Sequence, residues 1–154
     1  MNVVLDAGAF FSRFMPEGKA GTTPAVAAEV RDAESRRHLD ALRAAGILSF
    51  AEPSDASLSQ VRNSCARAGD TLSFADVSIL ALAIDTGARL ITDDYGVQNV
   101  ALRLGIPWSP SRTEGITGPV RWKCRCSGCG RRYPPSSHDE ACEVCGSRIV
   151  RRKA

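Results

Sequence analysis

The chain has 154 residues, 44% of them hydrophobic and 24% charged, which suits a globular protein with one ordinary core and room for a small appendage. No apolar run approaches membrane-spanning length, and Met1-Asn2-Val3-Val4-Leu5-Asp6 meets an acid after three apolar residues. These features argue against a membrane protein or a secretory leader, and the expectation is a cytoplasmic chain with reduced thiols.

The net charge of +3 is unevenly spread. Residues 1–115 hold 11 Lys+Arg against 14 Asp+Glu, and residues 116–154 hold 9 against 3. The body is therefore −3 and the tail +6. A basic module of this size favours a phosphate backbone as partner.

Asn2–Leu5 is a short β-branched run and predicts a strand. Thr23 followed by Pro24 predicts a helix start, with Thr23 as N-cap and Pro24 at the first helical position. Helical sequence continues to about Ala45 with a break near Asp32–Glu34, and Gly46 ends it. Ile47–Phe50 predicts a second strand. Ser54 or Asp55 caps a helix that runs to Gly69, and Ser73 caps another through Thr86, which Gly87 ends. Arg89–Thr92 predicts a third strand, Tyr95–Leu104 a helix closed by Gly105, and Ile106–Trp108 a fourth strand. Strands alternating with helices imply an α/β fold, a parallel sheet covered by helices on both faces. Residues 109–119, rich in Ser, Pro, Gly and Thr, read as a linker. The expected division is a body over 1–108, the linker over 109–119 and a small module over 120–154.

In such a sheet, a site forms beyond the carboxyl ends of the strands. Asp6 follows the first strand, and Asp93 and Asp94 follow the third. Asp76 lies in the first turn of its helix and Glu29 in the second turn of the helix begun by Pro24. All should open on one edge, Glu29 least directly. Clustered carboxylates suit Mg2+ or Mn2+ and metal-assisted phosphodiester hydrolysis, which needs no protein nucleophile. The bland readings are a capping box for Ser73–Asp76, a turn for Asp93-Asp94 and a solvated Glu29. The body's one histidine, His38, reads as solvated.

Cys126-x2-Cys129 and Cys142-x2-Cys145 are the ligand pattern of a closed tetrahedral Zn2+ site, with twelve residues between the pairs. Two disulfides are the alternative. With four thiolates and one zinc ion the tail keeps a charge of about +4. Its cations are Arg121, Lys123, Arg125, Arg131, Arg132, Arg148, Arg151, Arg152 and Lys153, and they are the candidate RNA contacts. Trp122 and Tyr133 lie among them, for stacking on bases or for packing. Cys65 reads as a small core residue and His138 as exposed.

Val4-Leu5-Asp6-Ala7-Gly8-Ala9-Phe10, Ala75-Asp76 before an apolar helix, and Thr92-Asp93-Asp94 after a strand resemble the PIN-domain nucleases. Thr22-Thr23-Pro24-x-Val26-x-x-Glu29-Val30 and Asp93-Asp94-Tyr95-x-x-Gln98-Asn99-Val100, with the ribbon after the body, resemble the NOB-type D-site endoribonucleases in their compact archaeal form. The resemblance covers essentially the whole chain. It implies a PIN-like fold with a zinc ribbon, and a metal-dependent endoribonuclease that matures the 3′ end of small-subunit ribosomal RNA. The implied acids are Asp6, Glu29, Asp76 and Asp94, with Asp6, Asp76 and Asp94 on Mg2+ or Mn2+. Asp93 is left as a fifth acid. The implied partners are precursor small-subunit ribosomal RNA and the pre-ribosomal particle. Cys124 departs from the pattern, since Cys124-x-Cys126-x2-Cys129 offers two choices beside Cys129. Cys126 is preferred because its spacing matches the second pair. The competing functions are a non-catalytic RNA-binding assembly factor, a PIN toxin-like ribonuclease and a zinc-ribbon transcription factor.

Overall fold

A computed structural model describes residues 1–112 and 122–153. The body is a five-stranded, all-parallel sheet in the order β3-β2-β1-β4-β5. Its strands are β1 (Val3–Leu5), β2 (Ala20–Thr22), β3 (Leu48–Phe50), β4 (Arg89–Ile91) and β5 (Trp108–Ser109). The helices are α1 (Ala7–Phe11), α2 (Pro24–Glu29), α3 (Ala33–Ala44), α4 (Asp55–Ala68), α5 (Phe74–Thr86) and α6 (Tyr95–Leu104).

The first strand in sequence is central in space, and its registers Val4↔Gly21 and Leu5↔Ile91 tie it to both neighbours. Val4, Leu5 and Leu90 are fully buried, as expected of a strand covered on both faces. Helix α5 packs beneath the sheet. It buries an unbroken run from Val77 to Ala83, including Ile79 and Leu80, so its sequence reads as apolar all round. Burying one such large side chain contributes about 1.5–3 kcal/mol.

The expected helix starts are made by their caps. Thr23 accepts from the Val26 N–H, Ser54 from Ser57 and Ser73 from Asp76. Helices α4, α5 and α6 end on Gly69, Gly87 and Gly105, which take φ of 75°, 66° and 72°, a left-handed turn that a β-carbon would oppose. The long helical stretch after Pro24 breaks at Val30–Asp32, where Asp32 caps α3.

Three elements differ from expectation. Helix α1 and strand β2 carry no periodic signal, being five and three residues long. The last strand lies at Trp108–Ser109, where Ser109 pairs with Ile91. Of the expected linker, residues 113–119 lie outside the described residues.

The C-terminal module is an antiparallel sheet, β7-β6-β8, from β6 (Trp122–Cys126), β7 (Arg132–Tyr133) and β8 (Ile149–Lys153). A 3-10 turn at Pro135–Ser137 rests on the end of α4. Gly69 is pressed there: a β-carbon on it would lie 2.8 Å from the Pro135 carbonyl oxygen and 3.0 Å from Trp122 Cβ.

Candidate active site and metal centre

Strands β2 and β3 lie on one side of β1, and β4 and β5 on the other. The chain reverses its direction of travel between β1 and β4. The crevice beyond their carboxyl ends is the topological switch point where parallel α/β folds bind ligands.

Asp6 leaves the end of β1 at this crevice and is 6% exposed. Its Oδ1 accepts from the Ala7 N–H at 2.8 Å, capping α1, and its Oδ2 accepts from the Thr92 hydroxyl at 2.7 Å. Burial dominates its titration and pushes the carboxyl up to about 6, against those two hydrogen bonds, and the charges of Asp76 and Asp94 add to the rise. Asp76 sits in the reciprocal capping box with Ser73. Burial, with Asp94 beside it, raises Asp76 as well. Glu29, exposed at the end of α2, is raised by partial desolvation and then by Asp76 and Asp94, with Arg31 opposing. Asp94 begins α6, where its Oδ1 accepts from the Gly96 and Val97 N–H groups at 2.7 and 3.1 Å.

Asp76 and Asp94 are thus brought within reach of each other's charge and of both Asp6 and Glu29, from the ends of β1 and β4 and the turns of three helices. Asp93 is engaged elsewhere. Its carboxylate accepts from the backbone N–H groups of Ser111 and Arg112 at 2.8 and 3.2 Å and from the Ser111 hydroxyl. The capping role weighed for Asp76 is real, and it is what aims that carboxylate.

Thr92 stands in the sequence motif only as a neighbour of the acids, and the structure gives it, fully buried, a part of its own. Its hydroxyl donates to Asp6 and accepts from the Asp94 N–H at 3.2 Å, so one side chain orients two of the acids. Gln98, also buried, donates to the Thr92 carbonyl at 2.9 Å. His38 is not merely solvated, since its Nε2 lies 2.9 Å from the Phe14 carbonyl oxygen.

In the C-terminal module the sulfurs of Cys126, Cys129, Cys142 and Cys145 all lie within 4.8 Å of one another. Among the described residues, no other group of three or more Cys, His, Asp or Glu converges so closely. Cys126 and Cys145 are 3.2 Å apart and Cys129 and Cys142 3.8 Å, with no disulfide. A tetrahedral shell with metal–sulfur bonds of about 2.3 Å puts sulfurs roughly 3.8 Å apart. Backbone N–H groups of Gly128 and Cys129 point at the Cys126 sulfur, and Val144 at that of Cys142. The Tyr133 hydroxyl lies 2.9 Å from the Cys142 sulfur and favours its thiolate. Cys124 stands apart, buried under the sheet with its thiol toward the Pro135 carbonyl. The cluster fits a zinc ribbon.

The tail cations divide. Lys123 and Arg125 alternate along β6 with buried Cys124 and Cys126, so both face outward, and Arg152 lies opposite Lys123. With Ser127 they line an open cleft of about 420 Å3. Arg131 is exposed and paired with Glu143 at 3.0 Å, Arg132 is exposed, and Arg148 pairs with Asp139. Arg151 is committed elsewhere. It stacks 4.4 Å over the Trp122 ring and donates to the Gly69 carbonyl at 3.1 Å. Trp122 packs on the body, its indole N–H donating to Asp70 at 3.1 Å. Arg121 lies outside the described residues.

Comparison with known proteins agrees with this geometry. The profile of the family described as "PIN domain of ribonuclease" matches residues 3–86. The chain is 40% identical to the protein named Endoribonuclease Nob1 of Methanothermobacter thermautotrophicus, over 99% of this chain and 94% of that one. It is 38% identical to the Endoribonuclease Nob1 of Pyrococcus abyssi, over 97% and 92%. The 20S-pre-rRNA D-site endonuclease NOB1 of Saccharomyces cerevisiae is 34% identical over 48% of this chain and 17% of its own length. Among solved structures, VapBC2 from Rickettsia felis superposes with a TM-score of 0.54 over 71% of this chain and 98% of that one, at 14% identity, a likeness of fold alone. Identity of 38–40% to the Nob1 proteins over nearly the whole of both chains, joined to an acid crevice and a four-thiol ribbon, makes this chain a member of the Nob1 endoribonucleases of the PIN-domain class.

Proposed function

We propose that the chain is the divalent-metal-dependent endoribonuclease that produces the 3′ end of small-subunit ribosomal RNA, acting on the precursor RNA within a pre-ribosomal particle. The observation that supports it most is the acid crevice at the sheet's switch point, where burial first, and then the neighbouring carboxylate charges, push Asp6, Glu29 and Asp76 above their ordinary values. Their donor set is all carboxylate oxygen, the chemistry of Mg2+ and Mn2+. In this reading Asp6, Asp76 and Asp94 hold the cation, and Asp93, busy with residues 111–112, does not.

When bound, the cation supplies a Lewis acid that neutralises the phosphate and acidifies its water. Glu29, exposed and raised above the usual carboxylate range, orients the attacking water and accepts its proton. Thr92 holds Asp6 and the start of α6 in register. The Cys126, Cys129, Cys142 and Cys145 thiolates hold one Zn2+ with no open position, a structural site. Lys123, Arg125, Arg132 and Arg152 grip the RNA backbone, while Arg151 fastens the ribbon to the body.

The test is incubation of the protein with precursor small-subunit RNA and Mn2+ or Mg2+, followed by mapping of the new ends. A discrete cut that yields the mature 3′ end, absent in chelator, is the expected result. No cut, or scattered cuts on any RNA, overturns it.

A further inference from the structure

The two most exposed of the chain's nine aromatic side chains stand beside the acids. Phe74, 55% exposed, is the first residue of α5, two positions before Asp76. Tyr95, 57% exposed, is the first residue of α6, directly after Asp94. The two helix starts adjoin, since Leu72 lies 3.4 Å from where a β-carbon on Gly96 would stand. Phe74 also forms the wall of a cleft of about 430 Å3, whose other lining includes Arg62, Ala66, Leu72 and Val77. The Arg62 guanidinium lies 5.8 Å over the Phe74 ring. Asp70 lines the cleft too, but its carboxylate is spent on Trp122, Asn99 and Arg103. The cleft is thus largely apolar, with a cation at its rim, in the size range of small-ligand sites.

We propose that this cleft receives an unpaired RNA base on one side of the scissile phosphate, stacked against Phe74 with Arg62 facing its phosphate, and that Tyr95 carries the base on the other side. The inference rests on the endoribonuclease reading and adds the subsites that read the strand around the cut. Bases have π faces that stack on aromatic rings and on guanidinium planes, and they do so only when unpaired. A paired helix hides those faces, so the two rings make single-strandedness a condition of cleavage. They also splay the backbone between them, which presents one phosphate to the acids.

The test uses the full chain and a short single-stranded RNA containing the cut site. Each of Phe74→Ala and Tyr95→Ala removes an exposed ring and leaves the core intact. Each should raise KM by roughly 10- to 100-fold with a smaller effect on kcat, the scale of one lost base stack. Phe74→Tyr and Tyr95→Phe should restore it, and Phe74→Leu should not. An abasic nucleotide at the matching position should cost the parent the same factor and cost the Ala variant nothing further. Aminopurine at that position should be quenched on binding to the parent and not to the variant, a readout that stands even if the RNA is left uncut. Unchanged KM in both Ala variants, full rescue by Leu, or losses that multiply with the abasic site would overturn the proposal. Rescue by Leu would make the contact one of apolar bulk and not of base stacking. Quenching without cutting would support these subsites while sinking the endoribonuclease reading.

Discussion

Asp6 carries a cost that its neighbours only partly offset. Its folded pKa of about 6 stands above the ordinary 3.8, so between those values the folded chain binds more protons than the unfolded one. Stability in chelator should therefore fall as the pH rises from about 4 to about 6, by up to about 3 kcal/mol from this group. Asp6→Asn removes that slope, because the amide does not ionise, and it costs little, because the amide can still accept from Ala7 and donate to a turned Thr92 hydroxyl. Denaturant melts in chelator should show the variant at least as stable as the parent at pH 7, while cleavage falls by two orders of magnitude or more. A variant less stable at pH 7 would mean that the charge is compensated within the fold. Thr92→Val tests the other half of the arrangement. It leaves Asp6 and the Asp94 N–H short of a buried partner, and should cost about 2 kcal/mol at pH 7 in the same melts and lower kcat. Much of this scale is legible in a bare sequence, since an acid just past a β-branched run marks a strand end. The choice between Asp93 and Asp94 is not: both follow the same strand, and only the fold brings Ser111 and Arg112 to Asp93.

At the level of elements, the ribbon depends on its thiols more than on its core. Among the described residues, only Cys124, Cys126, Cys142, Ile149 and part of Tyr133 pack together there, too little apolar surface for an independent fold. Cys142→Ser should release the metal and unfold residues 122–153 while the body's own transition persists. Cys124→Ser should retain the metal, because that thiol lies outside the cluster. Metal analysis beside amide spectra separates the two, and loss of metal from Cys124→Ser would reassign the ligand set. Helices α4, α5 and α6 were readable from their caps and closing glycines, which act within a few residues. Strand β2 was not. Ala20-Gly21-Thr22 has almost no side chain to show a period, and it is a strand because β1 and β3 bond both its edges. The division of Arg151 from Arg152 was hidden for a similar reason. Neighbours in one strand point to opposite faces, and which face meets the body is a property of the docked pair.

For the whole molecule, an acidic crevice repels a polyanion and a basic ribbon attracts it, so on the proposed reading most of the electrostatic affinity lies in the ribbon and the chemistry in the body. Ending the chain after Arg112 should leave a folded body that binds RNA weakly. Loss of the outward cations Lys123, Arg125, Arg132 and Arg152 should lessen the slope of log affinity against log salt by about 2 to 3. Binding titrations across a salt series check this, and an unchanged slope would assign the ribbon to a protein partner. The central place of β1 carries a last consequence, for how such an enzyme is made. Asp6 and Glu29 emerge early in synthesis, yet β1 lacks one neighbour until β4 arrives at Arg89–Ile91, and the crevice lacks its fourth acid until Asp94. On the proposed assignment of the acids, a partly made chain, tethered to a ribosome and surrounded by the very kind of polymer it cuts, therefore has no blade. The order of strands would then act as a safety catch, released only when nearly all of the body has been translated.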